Sequence, residues 1–185
     1  FSYGVSVVII GILLSFFQQA VGINVVLYYA PRIFENLGAS GDVSMRQTVV
    51  MGVVNIIFTM VAILTVDKFG RKPLLIIGSI GMMVGMAALS VLSFMDVIGV
   101  AALVFIIIYT ASFMMSWGPI TWVLISEIFP NTIRGQAVAI AVAAQWISNF
   151  IVSSTFPSLS EWSTGGAYLI YAVFSLLSAV FVFKM

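Results

Sequence analysis

The side chains best suited to chemistry in this sequence are carboxamides, phenols and indoles within long uncharged stretches. A carboxamide offers hydrogen-bond donors and acceptors without charge, and an indole adds a flat apolar face with one donor. That combination suits an uncharged polyol, because its hydroxyls need hydrogen bonds and its C–H face needs a platform. Carboxylates in the same stretches would instead indicate ions, protons or charged solutes. The polar side chains are Gln18, Gln19, Asn24, Tyr28, Tyr29, Asn55, Thr59, Trp117, Trp122, Gln145, Trp146 and Asn149.

An alternative is that these amides only join neighbouring helices, as polar side chains often do inside membranes. Amides on three different stretches, accompanied by two tryptophans, favour a shared cavity. One geometric condition must be met. At about 100° per residue, Gln18 and Asn24 would lie ~120° apart on a straight helix. They converge on one ligand only if the helix unwinds between them, and Gly22 is where it could unwind.

The composition identifies the elements that must position these side chains. Of the 185 residues, 62% are hydrophobic and 7% are charged, which excludes an ordinary soluble domain. The charges leave six uncharged stretches, each long enough as a helix to cross a bilayer core roughly 30 Å thick. The predicted spans are residues 4–30, 47–66, 73–95, 98–125, 135–157 and 163–183.

These stretches are continuous apolar runs rather than the ten-residue alternating segments of a membrane barrel. Because every backbone group in hydrocarbon must be paired within its own element, we expect an all-α membrane protein with six transmembrane helices.

The distribution of Lys and Arg predicts the orientation of the chain. Five of these residues lie on the side that holds both termini, and two lie on the other side. We therefore expect both ends of the chain in the cytoplasm.

The six spans divide into two groups of three, whose first members are the longest. Each of these two spans is interrupted, one by Gly22-Ile23-Asn24 and the other by Trp117-Gly118-Pro119. Paired Gly/Pro interruptions in corresponding spans are typical of a transporter binding site. Simple kinks are the alternative, since Gly and Pro are common in membrane helices.

Two charged segments on the cytoplasmic side each combine an acid with an arginine beside a turn residue. One segment contains Asp67 and Arg71, and the other contains Glu127 and Arg134. Acid–arginine pairs at helix ends could hold neighbouring helices together in one conformational state and release them in another. Anchoring of the loops and ordinary helix start and stop signals are the alternative.

Four ordered motifs resemble the sugar porter family of the major facilitator superfamily. They are FQQAVGINVVLYY at 17–29, DKFGRK at 67–72, SWGPITWVLISEIFPNTIRG at 116–135 and AVAAQW at 141–146. The likeness covers nearly the whole chain and is to bacterial D-xylose–proton symporters in particular. It extends only to the second half of such a carrier, so residues 1–185 are expected to be a C-terminal six-helix bundle whose N-terminal half is absent.

The resemblance implies roles for individual residues. Tyr28 and Tyr29 would belong to an extracellular gate, and Gly118 and Pro119 to the break that closes over the substrate. Asp67, Arg71, Glu127 and Arg134 would form a cytoplasmic charge network that stabilises the outward-facing state. The implied sugar contacts are Gln18, Gln19, Asn24, Asn55, Trp122, Gln145 and Trp146.

The resulting hypothesis is sugar transport by alternating access in a bacterial inner membrane, with D-xylose or a related pentose or hexose as substrate and proton symport in the complete protein. An uncoupled hexose carrier is an alternative. A channel subunit and a non-transporting scaffold are alternatives from other classes, although no charge ring or carbonyl filter is visible. We expect no enzyme, because the chain has no His and no Cys. We also expect no metal, cofactor or nucleic-acid partner.

Overall fold

A computed structural model describes residues 2–36, 40–96 and 99–185, which are almost entirely helical. The helices are α1 (Ser2–Ala20), α2 (Ile23–Asn36), α3 (Gly41–Phe69), α4 (Arg71–Phe94), α5 (Val100–Met115), α6 (Trp117–Ile128), α7 (Arg134–Trp162) and α8 (Thr164–Lys184).

These helices form six membrane-length segments, as the sequence predicts. Two of the segments consist of two helices each, α1 with α2 and α5 with α6. Several helices continue beyond the uncharged stretches: α3 begins at Gly41 rather than at residue 47, and α7 ends at Trp162 rather than at residue 157. A helix can extend into the polar interface, where its charged residues stay hydrated. The predicted start of the fourth span, residue 98, lies outside the described residues.

The first interruption lies where the sequence places it. Gly22 has φ +88°, a left-handed conformation that glycine adopts without a steric penalty, and α2 starts at the next residue. The second interruption lies at Ser116, one residue before the predicted motif. Pro119 is the third residue of α6 rather than part of the break, because proline is tolerated in the first turn of a helix.

The core lies where α4 packs between α5 and α8. Ser90 on α4 donates a hydrogen bond of 2.8 Å to the Gly165 carbonyl on α8. Gly78 on α4 lies so near α5 and its end that an added Cβ would overlap the side chain of Ser116. Small residues therefore let these backbones approach closely. The largest fully buried side chains include Leu75, Met82, Met86, Leu89, Ile106, Tyr109 and Trp117.

The helices α3 and α7 are the least buried of the six segments. Large apolar side chains of α3 such as Ile56 and Leu64 are exposed, as are Ile147 and Phe150 on α7. These two helices occupy the second position of each predicted group of three.

Candidate functional site

A cavity of about 320 Å³ lies between the two interrupted segments and α7. Its volume falls within the range of small-molecule sites. It receives six of the seven side chains that the sequence predicts to contact sugar, together with Tyr28 and Gly118 from the predicted gates. Those six are Gln18, Gln19, Asn24, Trp122, Gln145 and Trp146.

The break at Gly22 allows side chains from both of its sides to meet. The Asn24 Nδ2 group donates to Gln19 Oε1 at 2.6 Å, across the interruption. Gln18 and Asn24 both line the cavity, although a continuous helix would turn them about 120° apart. The expected unwinding between them is therefore present.

The two breaks support each other through hydrogen bonds. Tyr109 on α5 donates its hydroxyl proton to the Val21 carbonyl at 2.7 Å, at the first break. Gln18 on α1 donates to the Trp117 and Gly118 carbonyls at 3.0 and 3.3 Å, at the second break. Each interrupted segment thus supplies a side chain that bonds to backbone oxygens at the interruption of the other.

Trp117 does not face the cavity. Its side chain is fully buried, and its indole N–H donates to Ser79 Oγ at 2.7 Å. The Ser79 and Ser178 hydroxyls lie 2.9 Å apart, and Ser178 donates to the Ser175 carbonyl at 2.7 Å. Since Ser178 uses its only proton in that bond, Ser79 is the donor to Ser178. This chain of bonds fixes the start of α6 against α4 and α8.

The cavity presents neutral hydrogen-bonding groups, most of which are buried. Gln18, Gln19, Gln145 and Asn149 are each at most 8% exposed. The Oε1 atoms of Gln18 and Gln145 are buried and have no hydrogen-bond partner within the described residues. Because no charged residue is among those that line it, the cavity is suited to a neutral ligand with hydroxyl groups.

Asn55 is not among the residues that line this cavity. It lies half-buried on α3, where its Oδ1 atom is buried without a hydrogen-bond partner in the described part of the chain and its carbonyl accepts a bond from Thr59. Its role in sugar contact stays a prediction.

Several lining residues are absent from the predicted contact set. Asn149 lies one helical turn after Gln145, a spacing that the sequence already displays. The other four are Ile23, Leu27, Phe113 and Met114, which no sequence signal separates from the many other apolar residues of these helices.

A second cavity, of about 350 Å³, shares Tyr28, Trp146 and Asn149 with the first and also includes Tyr29. Tyr28 is 57% exposed. The Tyr29 hydroxyl donates to the Ser153 carbonyl at 3.4 Å. The two predicted gate tyrosines therefore lie at one end of the candidate site.

The charged segments meet at the opposite end of α6. Arg71 forms a 2.8 Å ion pair with Glu127 and a longer one, 3.9 Å, with Asp67. Glu127 therefore pairs with the arginine of the other segment rather than with its own. Arg134 instead donates from Nε to the Phe129 carbonyl at 3.3 Å. Asp67, Arg71 and Pro119 also line a groove of about 270 Å³ between α3 and α6.

A family profile, similar protein sequences and similar solved structures all point to sugar transporters. A family profile described as "Sugar (and other) transporter" matches residues 2–185. The chain belongs to this sugar transporter family. It is 53% identical to the D-xylose-proton symporter of Escherichia coli K12 and 47% identical to the glucose facilitated diffusion protein of Zymomonas mobilis. Each match covers 98% of this chain, with 38% of the first relative and 40% of the second.

The fold of this family member is that of the major facilitator superfamily. A solved structure of a proton:xylose symporter of that superfamily, bound to 6-bromo-6-deoxy-D-glucose, matches with a TM-score of 0.89. The two share 53% sequence identity over 96% of this chain and 39% of that one. The chain is thus an integral membrane protein, and its named relatives are transporters rather than enzymes. It spans about two fifths of the length of the relatives it matches.

Proposed function

We propose that this chain is the C-terminal six-helix half of a carrier that moves a monosaccharide across a bacterial inner membrane by alternating access. D-xylose is the first substrate to test, because a relative that is 53% identical is named a D-xylose-proton symporter. The observation that carries the proposal is the convergence of neutral amides and indoles on one cavity beside two interrupted helices. Such interruptions at a midplane site are typical of secondary transporters.

The partner in this proposal is an N-terminal half, which would cover the open side of the cavity. Trp122 is 45% exposed and Trp146 is 62% exposed, although both line the cavity. An indole N–H that faces lipid tails would lack a hydrogen-bond partner, which is costly in hydrocarbon. A second bundle that packs along α3 and α7 would enclose both tryptophans and complete the walls of the site.

The proposed orientation places both termini and the Asp67–Arg71–Glu127 cluster in the cytoplasm. Lys68 and Lys72 flank this cluster, and Arg134 begins the next helix. The concentration of basic residues at these ends supports that side as cytoplasmic. In this orientation the ion pairs join the cytoplasmic ends of α3, α4 and α6, where the carrier must open to release sugar.

The test uses a chimera, which we call the two-half carrier. In it, this chain replaces the matching C-terminal segment of the E. coli symporter and follows that protein's N-terminal half. We expect it to support D-xylose uptake in cells that lack their own xylose transport, and to bind D-xylose after purification. Gln145→Ala should weaken binding by roughly 1–3 kcal/mol, because sugar hydroxyls lose a buried hydrogen-bond partner.

Thr110→Val is the matched control for this substitution. Thr110 is fully buried in α5, but its hydroxyl bonds only to carbonyls of its own helix. Its replacement should leave the sugar affinity unchanged. Absence of both uptake and binding in a folded two-half carrier would overturn the proposed function. Normal affinity in Gln145→Ala would overturn the assigned site.

A second candidate function is facilitated diffusion without proton coupling. It is favoured by the 47% identity of this chain to a facilitator. The Z. mobilis relative is named for facilitated diffusion of glucose. The experiment measures sugar accumulation in vesicles by this chain joined to its native N-terminal half. Accumulation that a protonophore abolishes indicates symport, whereas equilibration that it leaves unchanged indicates a facilitator.

A further inference from the structure

The amide of Asn24 is held from two sides. It donates to Gln19 Oε1 on α1 at 2.6 Å and to Asn149 Oδ1 on α7 at 3.0 Å. A carboxamide has two N–H donors, and these two bonds account for both. The direction in which Asn24 presents its remaining oxygen therefore depends on residues from two other helices.

Asn149 is itself fixed in orientation. Ser153, one turn later on α7, donates its hydroxyl proton to the same Oδ1 atom at 3.0 Å. The Asn149 oxygen thus accepts one hydrogen bond from Asn24 and one from Ser153, and the two bonds together hold its side chain in place. The side chain is 7% exposed and lines both the 320 Å³ and the 350 Å³ cavities.

The same face of α7 also contacts the outer part of α2. The Tyr29 hydroxyl donates to the Ser153 carbonyl at 3.4 Å, and the rings of Tyr29 and Phe156 lie 5.2 Å apart. The helix α2 is joined to α1 only through the residues around Gly22, whose backbone can change direction with little steric cost. Contacts with α7, together with the more extensive packing of α2 on α3, therefore hold α2 in place.

We propose that Asn149 is a positioning residue of the sugar site, which acts through Asn24 and joins the hinged α2 to α7. This inference rests on the proposed function. While α2 lies against α7, the Asn149 oxygen turns the Asn24 amide so that its own oxygen can accept a sugar hydroxyl. When α2 swings away, the bond breaks and Asn24 loses that orientation, so sugar affinity and the position of α2 change together.

The test is a double-mutant cycle for D-xylose binding by the two-half carrier, measured by titration calorimetry. Asn149→Ala should weaken binding about tenfold, the loss of roughly one to two buried hydrogen bonds. In an Asn24→Ala background the same substitution should cost less than about twofold, because the residue through which it acts is gone. Ser153→Ala should weaken binding by about two- to fourfold and is a mild variant that retains the Asn149 side chain.

Ser148→Ala is the matched control. Ser148 is also buried on α7, but its hydroxyl donates only to the Ala144 carbonyl of its own helix. The Ser148→Ala carrier should bind D-xylose with the same affinity as the unsubstituted two-half carrier. Unchanged affinity in Asn149→Ala, or a full tenfold loss that persists in the Asn24→Ala background, would overturn the proposal.

A second readout keeps the test independent of sugar binding. This chain has no cysteine, so with any cysteines of the added N-terminal half replaced, spin labels can be placed at Arg32→Cys on α2 and Glu161→Cys on α7, both exposed positions. Asn149→Ala should broaden the distance distribution between the labels, whereas Ser148→Ala should not. If the parent carrier binds no D-xylose, the proposed function fails, while unchanged distances in Asn149→Ala would contradict the positioning role itself.

Discussion

Replacement of Gly22 by alanine tests whether the first break is required in the conformation described here. The residue has φ +88°, and a Cβ atom added to it would lie 2.8 Å from both Cγ and Cδ1 of Tyr171. Tyr171 is 5% exposed within the core, so its ring has little room to move. The substitution therefore meets a backbone penalty and a steric penalty at the same position.

The structure allows the two penalties to be separated. A left-handed conformation costs a residue with a Cβ roughly 1–2 kcal/mol. An added methyl group in a packed core typically costs about 1–3 kcal/mol more. We therefore expect Gly22→Ala to lower the free energy of unfolding by roughly 2–5 kcal/mol. Gly70 has φ +82° and ψ 160°, a region essentially restricted to glycine, and its added Cβ would meet only Pro73 Cδ at 3.8 Å. Gly70→Ala should therefore show a backbone penalty alone, roughly 1–3 kcal/mol.

Gly52 provides a control with neither penalty. It lies inside α3, where an added Cβ would meet no atom within 4 Å. Alanine is the better helix former, so Gly52→Ala should stabilise the helix by roughly 0.5–1 kcal/mol. The assay is reversible unfolding of the two-half carrier in mixed micelles, with D-xylose affinity measured on the same samples. Since Gly22→Ala also displaces Asn24, it alone of the three should weaken sugar binding.

A fourth variant identifies the steric partner. Tyr171→Ala removes the ring, so addition of Gly22→Ala to it should cost only the backbone penalty, about 1–2 kcal/mol. The reasoning is refuted if Gly22→Ala and Gly52→Ala have the same unfolding free energy and the same affinity. If Gly22→Ala costs as much in the Tyr171→Ala background as in the parent, the steric part alone is refuted.

Three further predictions concern other parts of the molecule. Trp117→Phe should lower the unfolding free energy by roughly 1–3 kcal/mol, since Ser79 loses its buried donor, and chemical unfolding will measure this. Glu127→Gln in the two-half carrier should shift spin-label distances between the cytoplasmic ends of α4 and α6 toward more open forms and slow transport, with sugar affinity nearly unchanged. The control Lys72→Gln should behave like the parent; unchanged distances in Glu127→Gln would leave loop anchoring as its role. This chain reconstituted alone should take up no labelled sugar, because only half of the cavity walls are present.

The number of membrane-length segments and the first break could be predicted because both depend on strong, local signals. Uncharged stretches of membrane length specify helices almost independently of their neighbours. The break at Gly22 follows from a glycine between polar residues that a straight helix would separate. The second break was displaced by one residue, to Ser116, because the proline after it is compatible with a first helical turn.

The candidate site shows where sequence reasoning reaches its limit. Residue type alone grouped Trp117 with Trp122, yet one indole is fully buried against Ser79 and the other lines the cavity. The difference depends on which face of α6 meets α4, and tertiary packing decides that. The pairing of Glu127 with Arg71 rather than Arg134 has the same origin, since it requires two segments distant in sequence to meet.

The mutual support of the two breaks has a consequence for recombination between related carriers. Gln18 and Trp117 are 99 positions apart, and Val21 and Tyr109 are 88 apart, so both bonds cross the middle of the chain. A crossover anywhere between residues 22 and 108 would take the two members of each bond from different parents. Tyr109 and Gln18 act through side chains, so a parent with another residue at position 109 would leave the Val21 carbonyl without this donor, and one with another residue at position 18 would lose the bond to the start of α6. The first and fourth spans should accordingly be inherited together, and libraries of shuffled carriers should retain function mainly when both come from one parent.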